Sequence, residues 1–403
     1  MTHTTTPALP EEQSAWGAVL ALSLGAFVLV ASEFLPVSLL TPIAADLRIS
    51  EGQAGQAIAI SGAFALLTSL FASALAGRLD RKTLLLASTL LMIASGTVVA
   101  FAPNYWIFML GRALIGVAIG GFWSMSAATA MRLVPARHVP RALAVVNGGN
   151  ALASVLAAPL GSYLGSLIGW RGAFFCVVPV AAIAFGWQLI SLPPMKAKPG
   201  QGSTRVFSLL GHPVLALGMA AVSLFFMGQF ALFTYLRPFL ETVTHVGTST
   251  LSLLLLVIGV AGFIGTSLIG AFLKKSLYRT LIAIPVLMAV IAGALLTFGH
   301  QVAVTAVLLG LWGLVATAAP VGWWTWLART LPRDAEAGGG LMVAVIQLAI
   351  MFGATLGGYL FDLRGYQATF GASAALLVLA ALLAALAART KAKAALCPIP
   401  LAL

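Results

Sequence analysis

Long apolar runs follow one another along the chain, and short stretches with charge, Gly or Pro separate them. Twelve such runs can be drawn, at 16–43, 54–76, 83–101, 106–131, 142–168, 172–192, 213–237, 250–273, 280–299, 302–328, 339–361 and 369–388. A helix needs roughly 20 mainly apolar residues to cross the hydrocarbon core of a bilayer. A sustained apolar run of that length reads as a spanning helix and not as a strand. The pattern predicts an all-α membrane protein with twelve transmembrane helices. The first run is not read as a secretory leader. Residues 1–15 contain no Lys or Arg, and the run from Trp16 is too long for a leader's apolar core.

Composition removes the soluble alternative. Hydrophobic residues make up 61% of the 403 and charged residues 8%, where a soluble domain carries roughly 25% charge. The net charge of +12 does not point to nucleic acid, because the basic residues are scattered instead of forming one patch. Their placement instead orients the chain. An even number of spans puts both termini on one side. Seventeen of the 22 Lys and Arg fall on that side, four (Arg48, Arg171, Arg237 and Arg364) on the other, and Arg112 within a span. The positive-inside rule then places both termini in the cytoplasm of a bacterial inner-membrane protein.

The halves repeat. Glu33-Phe34 stands nine residues before Pro42, and Gln229-Phe230 nine before Pro238, an offset of 196. At the same offset, 158–174 aligns with 354–370 with 8 identities in 17 positions. A half with six spans repeats in the same orientation, as parallel repeats about an axis along the membrane normal do. The expected organisation is an N-terminal tail (1–15), a six-helix bundle (16–192), a cytoplasmic linker rich in Pro and Gly (193–212), a second bundle (213–388) and a C-terminal tail (389–403).

Glu33 is the only acid deep within a span. An ionised carboxylate there costs roughly 2.5–3.5 kcal/mol on insertion scales, and burial favours its protonated form. It reads as a proton carrier, or as a neutral carboxyl bonded to a neighbouring helix. Arg112 cannot readily lose its charge. It either couples to Glu33 or bonds backbone carbonyls. The five histidines lie in tails, loops or span ends, which argues against a histidine relay. Intramembrane amides remain. Asn147 and Asn150 share a helical face, and Gln229 and Gln347 lie in the seventh and eleventh spans. With Trp123, Phe233 and Trp324 they form the candidate substrate-binding set, since amides hydrogen-bond neutral polar solutes and aromatic faces stack on rings. No phosphate-binding Gly-rich loop and no metal-ligand cluster is present in the sequence, and the two cysteines suggest no disulfide framework. No cofactor and no metal are expected, and transport energy would come from an ion gradient. A polytopic membrane enzyme would want a His/Asp or Ser/Lys constellation near the surface. A receptor would not need two similar halves.

These features resemble the major facilitator superfamily, in its drug:proton antiporter branch, over about 16–388. Ser73-Ala-Leu-Ala-Gly-Arg-Leu-Asp-Arg-Lys82 sits where that family has its signature loop between the second and third spans. Arg78, Arg81 and Lys82 match its basic positions. Gly77 stands where the family has an Asp, and Asp80 where it has a second Gly. Arg112 and Gly116 match the fourth-span signature. Ala158-Pro159-Leu160-Gly161 resembles the fifth-span antiporter motif, so Pro159 and Gly161 imply export in exchange for protons. Further strings are similar to bacterial purine ribonucleoside efflux pumps: Glu33-Phe-Leu-Pro-Val-Ser-Leu-Leu-Thr-Pro42, Gly120-Gly-Phe-Trp-Ser-Met-Ser126, Phe233-Thr-Tyr-Leu-Arg-Pro238, Pro320-Val-Gly-Trp323 and Ala344-Val-Ile-Gln-Leu348. The first is shared with sugar-efflux relatives. The resemblance implies a monomeric carrier that exports inosine- or guanosine-like nucleosides and their analogues. The alternatives are an arabinose-like sugar or a drug such as chloramphenicol.

Overall fold

The computed structural model describes residues 15–76, 80–195, 211–331 and 335–396. The helices run α1 (Trp16–Leu47), α2 (Glu51–Ala76), α3 (Arg81–Ala100), α4 (Tyr105–Arg132), α5 (Val139–Phe175), α6 (Val177–Ser191), α7 (Pro213–Thr234), α8 (Leu236–Thr242), α9 (Thr248–Lys275), α10 (Leu277–Phe298), α11 (Val302–Ala316), α12 (Ala319–Thr330) and α13 (Ala335–Leu396). Part of the linker expected at 193–212, and Arg78 of the signature loop, lie outside the described residues.

Nine stretches among the described residues are long and apolar enough to cross a membrane. Two of them, Arg141–Ser191 and Gly338–Lys391, hold 51 and 54 residues. As straight rods they would reach about 75–80 Å at 1.5 Å per residue, against a core of about 30 Å. Each is instead folded back at one glycine. Gly169 has φ 75° and Gly365 φ 72°, a region glycine enters without steric cost. These two breaks are also 196 residues apart. Each stretch therefore crosses twice, and α2 completes twelve crossings in two bundles of six. Two spans expected to be continuous are broken. Tyr235 separates α7 from α8, three residues before Pro238, and Thr317 and Ala318 separate α11 from α12 just before Pro320. Proline cannot supply the N–H that would carry the helix through. The last helix also runs to Leu396, past the span end expected at 388, so residues 389–396 are helix where a tail was expected.

The repeat governs packing as well as sequence. In the first bundle α1 packs on α5, and in the second α7 packs on α13. A Cβ on Gly161 would press against Leu35, and one on Gly357 against Ala231. Both members of this contact shift by 196. Along α4, Gly116 and Gly120 lie so close to α2 that a Cβ would stand 2.4 Å from the carbonyls of Ser61 and Ala65. Small residues let spanning helices approach this way where no hydrophobic force acts between them. The outer surface is apolar. Ile190 is 86% exposed, which is stable only where the solvent is itself hydrocarbon.

The bundles meet along two seams, α2 against α13 and α5 against α9. We call the face that holds the start of α1 and the end of α13 the terminal face and the other the far face. Near the far face Asp362 of α13 accepts from Gly52 N (3.0 Å) and Ser50 Oγ (2.5 Å) at the start of α2. The buried Tyr235 ring occupies the space beside Gly55, where a Cβ would lie 2.0 Å from its hydroxyl.

Candidate functional site

The site begins with two prolines inside α1, Pro36 and Pro42. Neither has an N–H, so the carbonyls four residues earlier, those of Ser32 and Ser38, lose their intrahelical donors. A buried acceptor left unpaired costs about 1–3 kcal/mol. Each is taken by an arginine. Arg112 of α4, 1% exposed, donates from Nη1 to Ser32 O (2.8 Å), from Nε to Ala57 O (3.2 Å) and from Nη2 to Ser61 Oγ (2.9 Å). It ties α1, α2 and α4 together. Arg237, from the other bundle, donates from Nη1 to Ser38 O.

Glu33 stands beside the first of these anchors. Its side chain is half-buried. Among the described residues no ion pair joins it to Arg112, although each lies in the other's electrostatic field. Arg112 thus bonds two backbone carbonyls and a hydroxyl, and among the described residues no ion pair joins it to Glu33. Next to Glu33, Phe34 packs against the cores of both bundles. Its ring meets Phe233 of α7 edge-on at 6.1 Å, and Phe233 meets Phe230 at 6.3 Å. The repeat mates Glu33-Phe34 and Gln229-Phe230 therefore flank the contact between α1 and α7.

The amides divide. Gln229 on α7 and Gln347 on α13 each hold a buried side-chain oxygen without a protein partner. Gln347 is 7% exposed. No donor among the described residues reaches either oxygen. Asn147 is exposed and donates to Leu143 O of its own helix (3.0 Å), while Asn150 is half-buried. Asn147 and Leu152 point about 140° apart on α5. Leu152 lines an apolar groove with Leu20, Leu24, Phe27 and Trp187, so the asparagines turn away from that surface. Trp123 is half-buried, edge-on to Phe122 at 5.9 Å, against the first bundle's core. Trp324 is 42% exposed beside Gly339, whereas Trp323 and Trp326 are buried against each other. No described contact brings Trp324 to the Phe34–Phe233 cluster.

The sequence profile of the Major Facilitator Superfamily matches residues 22–339. The chain belongs to this superfamily. It is 43% identical over 370 residues to the purine ribonucleoside efflux pump NepI of Salmonella paratyphi B, covering 92% of this chain and 93% of the relative. It is 66% identical over 389 residues to a Pseudomonas aeruginosa protein named transcription regulatory protein OpdE, covering 96% of this chain and 97% of that one. Among solved structures, it is similar to a bacterial homologue of the human lysosomal transporter Spinster in an inward-facing, unoccupied conformation. That likeness has a TM-score of 0.76, 17% identity, and covers 94% of this chain and 98% of the other. The protein is a multi-pass membrane transporter and not an enzyme.

Of the signature loop, Asp80, Arg81 and Lys82 are described. Asp80 caps α3 by accepting from Lys82 N (2.8 Å), and both its oxygens accept from Met195 N. Arg81 N donates to Met195 O (3.2 Å). The carboxylate is spent within the first bundle. Pro159 lies buried in α5 and frees the carbonyl of Val155. Gly259 of α9 packs against that carbonyl so closely that a Cβ would stand 2.7 Å away. Gly161 contacts α1 at Leu35 and Ser38. Sequence reasoning missed Arg237, Tyr235 and Asp362 as groups that join the bundles. It also missed Gln188, which accepts from Thr89 Oγ1 (2.8 Å) and donates to Ala21 O (3.4 Å). For Arg237 a signal existed, a proline four residues after Ser38.

Proposed function

We propose that the protein exports purine ribonucleosides, such as inosine or guanosine and their analogues, across a bacterial inner membrane in exchange for protons. The observation that carries this is Glu33. It is the one acid deep in a span, has no ion-pair partner among the described residues, and adjoins the Phe34–Phe233 contact where α1 and α7 meet. A carboxyl so placed takes a proton from one side and gives it to the other as the bundles exchange access. Proton and cargo stabilise different states, which is the condition for coupling. Gln229 and Gln347 offer acceptors to the N–H and O–H groups that a nucleoside presents, and Phe233 and Trp123 offer ring faces. The 43% identity to the nucleoside pump NepI supports this cargo over an arabinose-like sugar or chloramphenicol.

The carrier works as a monomer. Both termini and the 193–212 connection lie in the cytoplasm, as the placement of basic residues indicates. The far face is then periplasmic. The similarity to a protein named a transcription regulator fits the same reading, because a carrier that sets the level of an inducing solute changes transcription without touching DNA.

Purified protein in proteoliposomes, with labelled inosine and an imposed proton gradient, tests the proposal. Uphill inosine movement is expected, and Glu33→Gln should abolish the uphill component while leaving exchange at equal concentrations. Full proton-driven movement by Glu33→Gln defeats the coupling role. Movement of a sugar or drug without inosine defeats the cargo.

A further inference from the structure

Arg237 divides its guanidinium between two partners. Nε donates to Glu241 Oε1 one helical turn on (2.8 Å), and Nη1 donates to Ser38 O in the opposite bundle. The side chain is 7–8% exposed. The acceptor exists only because Pro42 cannot donate to it. On the other side of the arginine, Glu241 Oε2 is buried and bonded to nothing. The contact lies toward the far face, at the end of the first span of each bundle, where the bundles must part for that face to open.

We propose that Arg237 is a partner-switching clamp that holds the far face shut and sets the position of the Glu33 segment. With the face closed, Nη1 holds the proline-freed carbonyl of Ser38. As the bundles separate, that bond breaks and the guanidinium turns its free N–H toward Glu241 Oε2, closing a bidentate pair. The bond to Glu241 recovers only part of the one given up, so the arginine is not stranded in the open state and the closed state stays the lower in free energy. Glu33 lies in the stretch of α1 between Ser32 and Ser38, which has lost two backbone bonds. The clamp therefore transmits the position of the second bundle to the segment that carries the acid. The positioning of Glu33 rests on the transport reading above, whereas the clamp itself needs only the two-bundle architecture.

The test reads distances across the far face. Spin labels are placed at Phe101→Cys and Gln301→Cys, one on each bundle, in a full chain carrying Cys176→Ser and Cys397→Ser, in lipid nanodiscs. Arg237→Gln should raise the long-distance fraction by about threefold or more, because the closed-state bond it removes outweighs the open-state one. Pro42→Ala should do the same with the arginine intact, because residue 42 then supplies the N–H that Ser38 lacks. Adding Glu241→Gln to the Pro42→Ala chain should lower the open fraction again. Arg237→Lys, with one point charge for two partners, should fall between parent and Arg237→Gln. Unchanged distances in Arg237→Gln and Pro42→Ala proteins that still run as folded monomers overturn the clamp. Failure of proton coupling in the proteoliposome assay, with the distance changes intact, removes only the link to Glu33.

Discussion

Arg112 illustrates what a single residue can and cannot reveal in a sequence. A permanent charge inside a span had to have acceptors, and that much follows from its position alone. Which acceptors it takes depends on Pro36, whose missing N–H leaves Ser32 O for the guanidinium. Arg112→Leu should therefore destabilise the protein by about 1–3 kcal/mol, the cost of one orphaned buried acceptor, seen as an earlier thermal transition in detergent. Pro36→Ala in the same chain should recover part of the loss by giving Ser32 O an intrahelical donor. Absence of any recovery would mean that the bonds to Ala57 and Ser61 carry the effect. Glu33 was legible because it is the lone deep acid. For Arg237 the sequence shows only that Pro42 leaves Ser38 O without its donor; among the four basic residues on the far side, the fold alone selects Arg237 to take it.

At the scale of elements, apolar run length was enough to find the spans but not the places where the chain turns. The sequence shows Gly169 and Gly365 as two among 41 glycines. Their left-handed φ values depend on the return path of the chain, which no local pattern encodes. Alanine at either position should cost about 1–3 kcal/mol, because positive φ with ψ near 180° (164° at Gly169, −169° at Gly365) is a region essentially confined to glycine. By the symmetry of the repeat the two losses should be similar, as read from thermal unfolding of each variant. A glycine that tolerates alanine would mean that its break can be made with negative φ. The breaks at Tyr235 and before Pro320 were partly legible, since proline marks where a helix yields, but the apolar runs there continue without a gap.

For the whole molecule the repeat was readable from two short alignments, and packing extends it to side-chain contacts such as Gly161 on Leu35 and Gly357 on Ala231. The seams between bundles were not readable, because α2 and α13 are far apart in sequence and carry no matching motif. The proposed orientation rests on charge alone. Alkaline phosphatase fused after Leu403 should be inactive, and the same enzyme fused after Gln301 active, since it folds only outside the cytoplasm. The reverse pattern would invert the protein and exchange the roles given to its two faces.

The two proline-freed carbonyls of α1 make that helix a lever. Its pivot is Ser32, fixed to its own bundle by Arg112, and its moving end is Ser38, gripped by the opposite bundle. The arm between them is about 9 Å and Glu33 lies about 1.5 Å from the pivot, at 1.5 Å rise per residue. A bend of about 20° then carries Ser38 through roughly 3 Å and Glu33 through roughly 0.5 Å. In the proposed exchange the acid stays nearly still while its surroundings move past it, so one carboxyl would face two compartments in turn without itself travelling between them.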